Sequence, residues 1–244
     1  APEKYFDLYP KDKVFLPKIL KDDLQDVPPH GHYGIRKQWH KWLLENNQWR
    51  EAVRGYLASI SFADAQVGRL IDALDKSSHA KNTIIVLWSD HGMHIGEKQQ
   101  WEKFTLFEES TRVPLIIVAP GITKPGTICD KPVNLLDVYP TLNELCSLPA
   151  RKDLDGISLV KLLKKPETKW ARPSITTWGK DNHAARGQRY RYIRHPNGEE
   201  QLYDHKTDPN EFTNLTDKPE LTEVKERLAK WLPKTNANPV RNKK

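Results

Sequence analysis

The 244-residue sequence predicts an α/β chain that ends in a smaller α+β subdomain with antiparallel strands. A long stretch with helical spacing, residues 51–76, leads into a short β-branched run at residues 83–89, which is the order of elements in an α/β sheet. After residue 166 the chain changes to short strand-like runs separated by turn signals. We therefore expect two domains, residues 1–165 and residues 166–244.

Each element is predicted from its own pattern. The prolines of residues 1–33 forbid a long helix there and predict an extended lead-in. Apolar side chains at three- and four-residue intervals predict the helices, and runs without polar alternation predict that the first two strands are buried on both faces. The helices are predicted at residues 35–49, 51–76, 135–145, 159–164 and 220–232. The strands are predicted at residues 83–89, 113–119, 127–133, 174–178, 189–194 and 200–203.

The composition excludes several classes of protein. With 37% hydrophobic residues and eight tryptophans, the chain can bury a core and is not a disordered protein. The formal net charge is +7, but the Lys and Arg residues are scattered, so we expect no nucleic acid partner. The apolar runs are far shorter than the roughly 20 residues of a membrane helix, so we expect no membrane span.

The cysteines give no site of their own. Cys129 and Cys146 form neither a metal-binding pair nor a disulfide framework. We expect both to be small buried side chains.

Polar residues that could carry chemistry cluster directly after the first predicted strand, at residues 89–97. Ligands of open α/β sheets bind at the carboxyl ends of strands. Asp90 and His91 offer an adjacent carboxylate and imidazole that can reach one cation, and Gly92 and Gly96 permit the irregular loop that this requires. From spacing alone, the same residues could also form an ordinary turn.

Residues 89–121, SDHGMHIGEKQQWEKFTLFEESTRVPLIIVAPG, resemble the sulfatase family of the alkaline-phosphatase-like superfamily, and in particular its iduronate-2-sulfatase-like members. Further blocks at residues 55–74, 133–163 and 201–215 resemble the same family in the same order. The resemblance implies the C-terminal portion of such an enzyme. It also implies a partial alkaline-phosphatase-like sheet with helices on both faces.

The resemblance assigns roles to three residues. Asp90 matches a metal-ligating aspartate, and His91 matches the next ligand, which is asparagine in many arylsulfatases. Calcium is the metal that the family implies, while the imidazole of His91 leaves manganese or another transition metal open. Lys103 matches the catalytic lysine that holds the sulfate and stabilises the leaving-group oxygen.

Three further residues are expected to bind substrate. His94 and Trp101 lie close to the metal loop in sequence, and His183 lies where the C-terminal subdomain of such enzymes approaches the pocket. Each of them could equally be an ordinary packing residue.

The formylglycine motif of the family, Cys-x-Pro-Ser-Arg, does not occur in the 244 residues, and neither do the paired aspartates of the first strand. We therefore expect formylglycine and the remaining ligands in a missing N-terminal segment, and we expect the chain alone to be inert. The implied substrate is a sulfated carbohydrate, and the resemblance favours a periplasmic or secreted enzyme without deciding the compartment. A phosphate or phosphonate ester hydrolase of the same superfamily and a non-catalytic scaffold remain as alternatives.

Overall fold

The computed structural model describes residues 1–238, which form seven α-helices and three antiparallel sheets. The helices are α1 (Glu3–Phe6), α2 (Lys37–Glu45), α3 (Trp49–Asp75), α4 (Glu108–Thr111), α5 (Val138–Leu145), α6 (Val160–Lys164) and α7 (Thr222–Ala229). The strands are β1 (Ile85–Trp88), β2 (His94–Ile95), β3 (Trp101–Glu102), β4 (Leu115–Val118), β5 (Ser174–Thr177), β6 (His183–Arg186), β7 (Tyr190–Arg194) and β8 (Glu200–Asp204). Short 3₁₀ turns lie at Lys11–Lys13, Pro29–His32, Glu97–Gln99, Leu135–Asp137 and Pro219–Leu221.

The predicted helices all form, with ends that shift by a few residues. The longest, α3, packs against α1 and α2. The lead-in contains the four-residue helix α1 and short 3₁₀ turns but no long helix, as its prolines predict. The strand predicted at residues 127–133 is wrong, because that segment is irregular. Strand β6 was not predicted, because its residues His-Ala-Ala-Arg lack the β-branched side chains that signal a strand.

Strands β1 and β4 pair with each other in antiparallel orientation, with Ile85 opposite Val118 and Trp88 opposite Leu115. The expectation that both strands are buried on both faces is wrong for the structure of residues 1–238. Trp88 is 50% exposed and Ile116 is 52% exposed. Within this part of the chain the two strands form a sheet of their own, and it exposes apolar side chains on both faces, because Trp88 and Ile116 point to opposite sides.

The C-terminal sheet is a four-stranded antiparallel meander in the order β5-β6-β7-β8. Helix α7 contacts β6 and β7, and the buried side chains between them include Tyr192, Leu202 and Leu228. The Asn-Gly signal at residues 197–198 is confirmed as the turn between β7 and β8, where Gly198 adopts a φ of 88°. The antiparallel character predicted for this region is confirmed.

A second core connects distant parts of the chain. Leu24 and Val27 of the lead-in pack with Phe107, Ile193 and Tyr203 in one buried cluster. Because this cluster draws on residues before and after position 166, the division into two domains at that position stays a prediction.

The described residues bear on two further expectations, one about membrane-spanning helices and one about the burial of the cysteines. No helix within residues 1–238 combines the length and the apolar character that a membrane crossing needs. The expectation that the cysteines are buried is wrong, because Cys129 lies in an irregular segment and Cys146 at the end of α5, and both are exposed.

Candidate active site

The loop that follows β1 forms the wall of an open groove of about 1070 Å³. Asp90, His91 and Lys103 line this groove together with Phe104. The hairpin of β2 and β3 lies between the first two of these residues and Lys103, with His94 opposite Glu102. The hairpin reverses the direction of the chain and thereby brings Lys103 close to Asp90 and His91.

The three residues make direct contact. His91 Nδ1 lies 2.8 Å from the carbonyl oxygen of Gly92, and this acceptor fixes the proton on Nδ1. The lone pair of His91 Nε2 is then free, and the ammonium of Lys103 donates to it at 2.6 Å. Asp90 Oδ2 lies 3.7 Å from the same nitrogen, and its side chain is 83% exposed to the groove side. A carboxylate, an imidazole and an ammonium thus share one corner of the groove.

Close packing of Gly92 against α4 holds the loop in place. The Gly92 amide donates to the Ser110 carbonyl oxygen at 2.9 Å. A Cβ at position 92 would lie 1.9 Å from the Glu109 carbonyl oxygen, so no larger residue fits there without moving backbone. The glycine is therefore required for space, and its neighbour His91 is fixed by the same contact.

Lys103 lies in a strained stretch of backbone. Its neighbours Glu102 and Phe104 have φ values of 70° and 73°, a region that costs a residue with a side chain about 1 kcal/mol or more. The buried amide of Gln100 donates to the Lys103 carbonyl oxygen at 2.7 Å and accepts from the Arg36 backbone amide at 2.5 Å. The surrounding structure thus imposes the position of Lys103.

Asp90 and His91 fit a divalent cation as two of its ligands. One carboxylate oxygen and one imidazole nitrogen are donors that such a cation accepts. A histidine that donates its other ring N–H to a backbone carbonyl is also the usual arrangement of a metal-ligating imidazole, and His91 with Gly92 has it. Further ligands are needed to complete a coordination sphere.

His94 is fully buried and does not line the groove. Its Nδ1 donates to the Glu97 carbonyl oxygen at 3.2 Å, and its Nε2 accepts from the Thr105 hydroxyl at 2.8 Å. Burial lowers the pKa of His94 to about 4, so the ring is neutral at physiological pH. Both ring nitrogens are used within the protein, and the geometry gives no support to a contact with substrate.

Trp101 and His183 also lie away from the groove lining. Trp101 is 9% exposed, and its indole N–H donates to His40 Nδ1 at 3.2 Å within a core that contains Val53. His183 is buried in β6, with Nδ1 2.8 Å from the Thr177 hydroxyl. Substrate binding by either residue stays a prediction that the packing does not favour.

A buried ion-pair cluster in the wall of the groove was missed by the sequence patterns. Arg191 is fully buried and pairs with both Glu108 and Glu211, while Arg186 pairs with Glu108 at 3.1 Å. Burial alone would raise the pKa of Glu211, but the Arg191 guanidinium and the His205 hydrogen bond overcome this and lower it to about 2. The cluster connects α4 to strand β7 and to the segment after β8.

Glu108, His205 and Glu211 place one donor atom each within 4.8 Å of one another, as the ligands of a metal would be. Arg191 occupies the space between the two carboxylates and neutralises them. Because a guanidinium already supplies the charge that a cation would bring, this group acts as an ion-pair cluster. Residues 201–215, a block with family resemblance, contain Glu211 and were the available sequence signal for it.

Two family models match the chain. Residues 2–148 match the model Sulfatase, and residues 96–238 match N-sulphoglucosamine sulphohydrolase, C-terminal. The second match includes β3, Lys103 and the whole four-stranded sheet.

Individual proteins agree with the family models. A sulfatase from Formosa agariphila is 42% identical over 240 residues, which cover 97% of this chain and 47% of that protein. A choline-sulfatase from Rhizobium meliloti is 33% identical over 90% of this chain and 44% of its own length. A protein solved in complex with its substrate D-glucosamine-2-N,6-O-disulfate superposes with a TM-score of 0.65 at 28% identity, covering 75% of this chain and 40% of that one. The chain spans about half the length of the curated relatives it matches.

The helices, the sheets and the loop after β1 define an α/β protein of the alkaline-phosphatase-like class. The predicted fold class and the resemblance to the C-terminal portion of a sulfatase are confirmed by these matches. The chain belongs to the sulfatase family.

Proposed function

We propose that the protein carrying this chain is a sulfuric ester hydrolase and that the groove corner of Asp90, His91 and Lys103 binds the sulfate group. The observation that supports this most directly is the 2.6 Å contact between Lys103 Nζ and His91 Nε2 in a groove that Asp90 also lines. Two adjacent residues and a third from the end of the next hairpin thus meet at one corner of the groove.

Cleavage of a sulfate ester moves negative charge onto the departing oxygen. An ammonium held beside that oxygen stabilises the transition state more than the ground state, because the charge is larger there. Lys103 has this role in the proposal, and the strained backbone around it holds the ammonium before substrate arrives.

Asp90 and His91 would hold a divalent cation, with calcium as the first expectation and manganese as the second. Such a cation would withdraw charge from a sulfate oxygen. Asp90 contributes a carboxylate at the groove, and the Gly92 carbonyl keeps the His91 Nε2 lone pair turned towards the site. That lone pair accepts from Lys103 in the structure, so a cation bound there would displace the Lys103 ammonium and leave it free for the sulfate. The nucleophile, formylglycine in this proposal, and further metal ligands come from outside these 244 residues.

The proposed substrate is a sulfated carbohydrate of the glycosaminoglycan type. The resemblance to iduronate-2-sulfatase-like members supports this, and so does the similar protein solved with a disulfated glucosamine. The groove lining carries more basic than acidic side chains, which suits a polyanionic ligand. Arg112 and Arg186 pair with Glu108, and Lys131 pairs with Asp130, while Lys103 and Lys124 form no ion pair in the part of the chain that the structure describes.

Metal binding tests the proposal on the complete protein, because Asp90 and His91 alone do not complete a coordination sphere. Calorimetric titration with Ca²⁺ alone and Mn²⁺ alone is expected to give one site, weakened at least about tenfold by Asp90→Asn and by His91→Ala. His79→Ala, at an exposed position beyond α3, serves as the matched control and leaves the affinity unchanged. Equal affinities in all four proteins would contradict the assigned ligands.

Activity tests the substrate class. The complete protein is expected to hydrolyse an aryl sulfate faster than the matching aryl phosphate, and Lys103→Ala is expected to lower kcat by at least about 100-fold. A preference for the phosphate would favour phosphoryl transfer instead. Sulfate release by the 244 residues alone, abolished by Lys103→Ala, would show that the nucleophile lies within this chain.

A further inference from the structure

An aromatic surface continues the groove on the far side of Lys103. The Phe104 ring lies 6.2 Å from the Trp178 ring, and Trp178 stacks with Tyr33 at 5.1 Å between centroids. Phe104 and Trp178 line the groove, and Tyr33 is 72% exposed. We call Tyr33, Phe104 and Trp178 the aromatic platform.

The platform is a built structure, because Trp178 contacts both of the other rings and Gly34 packs closely on Trp178. Gly34 approaches Trp178 so closely that a Cβ at position 34 would lie 2.3 Å from the indole ring and 2.3 Å from the Phe104 carbonyl oxygen. Gly34 also has a φ of 90°, which a residue with a side chain rarely adopts. The sequence thus allows Tyr33 to lie against Trp178.

The platform is also connected to Lys103. The buried side chain of Gln100 donates to the carbonyl oxygens of Lys103, at 2.7 Å, and Gly34, at 3.3 Å. One amide therefore holds both the catalytic candidate and the loop that carries Tyr33. Their separation is fixed by the protein and does not depend on a ligand.

Two cations lie beside the platform, and one of them, Arg36, also pairs with Glu102 at 3.0 Å. The Arg36 guanidinium lies 5.4 Å and the Lys103 ammonium 5.6 Å from the Phe104 ring centroid. Aromatic rings alone could attract a quaternary ammonium group such as choline. Two cations on the same ring oppose that ligand and favour one that carries anionic groups.

We propose that the aromatic platform is a subsite for a second sugar ring of a sulfated oligosaccharide, stacked on Tyr33, while the sulfate of the neighbouring sugar lies at Lys103. This inference rests on the proposed function for the position of the sulfate. The apolar face of a sugar ring packs on an exposed aromatic ring. Arg36 uses Nη1 for Glu102 and keeps further N–H donors for an acidic substituent of the same saccharide. The substrate class is thereby narrowed to saccharides of at least two units.

The test compares ligands that differ in length. Inorganic sulfate, a sulfated monosaccharide, a sulfated tetrasaccharide of the same unit and choline sulfate are titrated into the full chain by calorimetry. Saturation-transfer NMR reports which sugar protons contact aromatic side chains. The tetrasaccharide is expected to bind more tightly than the monosaccharide and to receive transfer on a ring that carries no scissile sulfate.

Variants separate the platform from the rest of the groove. Tyr33→Ala is expected to weaken tetrasaccharide binding about fivefold to tenfold and to leave inorganic sulfate unchanged, whereas Tyr33→Phe retains the affinity. Phe15→Ala, at a ring that is 84% exposed elsewhere, is the matched control and changes nothing. Unchanged tetrasaccharide affinity in Tyr33→Ala would overturn the subsite.

The outcomes for the subsite and for the proposed function differ. Inorganic sulfate binding that is lost in Lys103→Met, together with a silent Tyr33→Ala, supports the sulfate site and overturns the subsite. Tetrasaccharide binding that depends on Tyr33 but not on Lys103 supports the platform and overturns the sulfate site. If Tyr33→Ala weakens the binding of choline sulfate more than the binding of the tetrasaccharide, the saccharide is not the occupant of the platform.

Discussion

Lys98 and Lys103 lie five positions apart in one loop and have opposite environments. Lys98 is 1% exposed, donates to Asp23 at 2.7 Å and also pairs with the Glu211 carbonyl oxygen. Lys103 is half-buried in the groove wall and donates to His91. The first ammonium is fully committed to the fold, while the second faces open space where a ligand can reach it.

The difference shows how one hairpin can be anchored by a buried lysine and present a second lysine to the groove. The Lys98 ammonium lies 5.1 Å from the Phe107 ring and 5.5 Å from the Tyr203 ring, so it anchors the hairpin in the apolar core. Because that anchor is buried, the hairpin can present Lys103 without support from solvent-exposed ion pairs, which contribute little.

The largest expected effect tests the anchor. Lys98→Met leaves Asp23 buried without its partner and is expected to lower the free energy of unfolding by about 3–5 kcal/mol. Burial already raises the pKa of Asp23 against the opposing effect of Lys98, so a proton taken up by Asp23 limits the loss. Urea unfolding followed by tryptophan fluorescence measures the change.

The double variant Lys98→Met with Asp23→Asn is the control for this prediction. It removes the unpaired charge, and we expect it to recover part of the stability. A single variant as stable as the parent protein would show that Lys98 is not the anchor of the hairpin.

The next effect is a loss of stability in acid. Burial lowers the pKa of His94 and of His195 to about 4 each, so the folded protein binds fewer protons than the unfolded chain between pH 6.5 and pH 4. Stability contributed by these neutral rings is present above pH 6.5 and is lost as the pH falls towards 4. For His94 the loss is expected to be about 3 kcal/mol.

Unfolding free energies measured at pH 7 and pH 4.5 test this expectation. His94→Asn is expected to reduce the difference between the two values, even though the substitution itself lowers stability at both. His79→Ala, on the exposed side of the molecule, is expected to leave the difference unchanged. An unaltered difference in the His94 variant would contradict the assigned cause.

The smallest expected effect completes the comparison of the two lysines. Lys103→Met is expected to change the free energy of unfolding by less than about 0.5 kcal/mol, because its ammonium faces the groove. A loss above about 2 kcal/mol would show that Lys103 is part of the fold in the same sense as Lys98. Urea unfolding under the conditions used for Lys98→Met makes the two values comparable.

The sequence indicated the corner formed by Asp90, His91 and Lys103. It did not indicate the buried ion-pair cluster in the groove wall. Asp90 and His91 follow a β-branched run, and family resemblance added Lys103. Arg191 and Glu108 are separated by 83 positions, and no local pattern indicates which charged residues of a polar chain become buried together. Tertiary packing alone brings them into contact.

The packing does not favour the substrate contacts that were predicted from proximity in sequence. His94 lies three residues after His91, but it belongs to β2, which pairs with β3. Its ring lies in the core, where it forms a hydrogen bond with the Thr105 hydroxyl. Trp101 follows the same hairpin inward. Alternation along a strand decides which side a residue faces, and two-residue strands are too short to be predicted from a pattern.

The lead-in has a practical consequence for anyone who shortens this protein. A proline-rich start is easily mistaken for a dispensable leader. Leu24 and Val27 nevertheless pack against Phe107 in a buried cluster. Asp26 also accepts the Asn214 backbone amide at 2.6 Å, which fastens the same stretch to the far end of the chain. A version that starts at Gly34 would lose Leu24 and Val27 and expose this cluster. It would also lose Asp23, the partner of Lys98, while the residues of the groove corner remain.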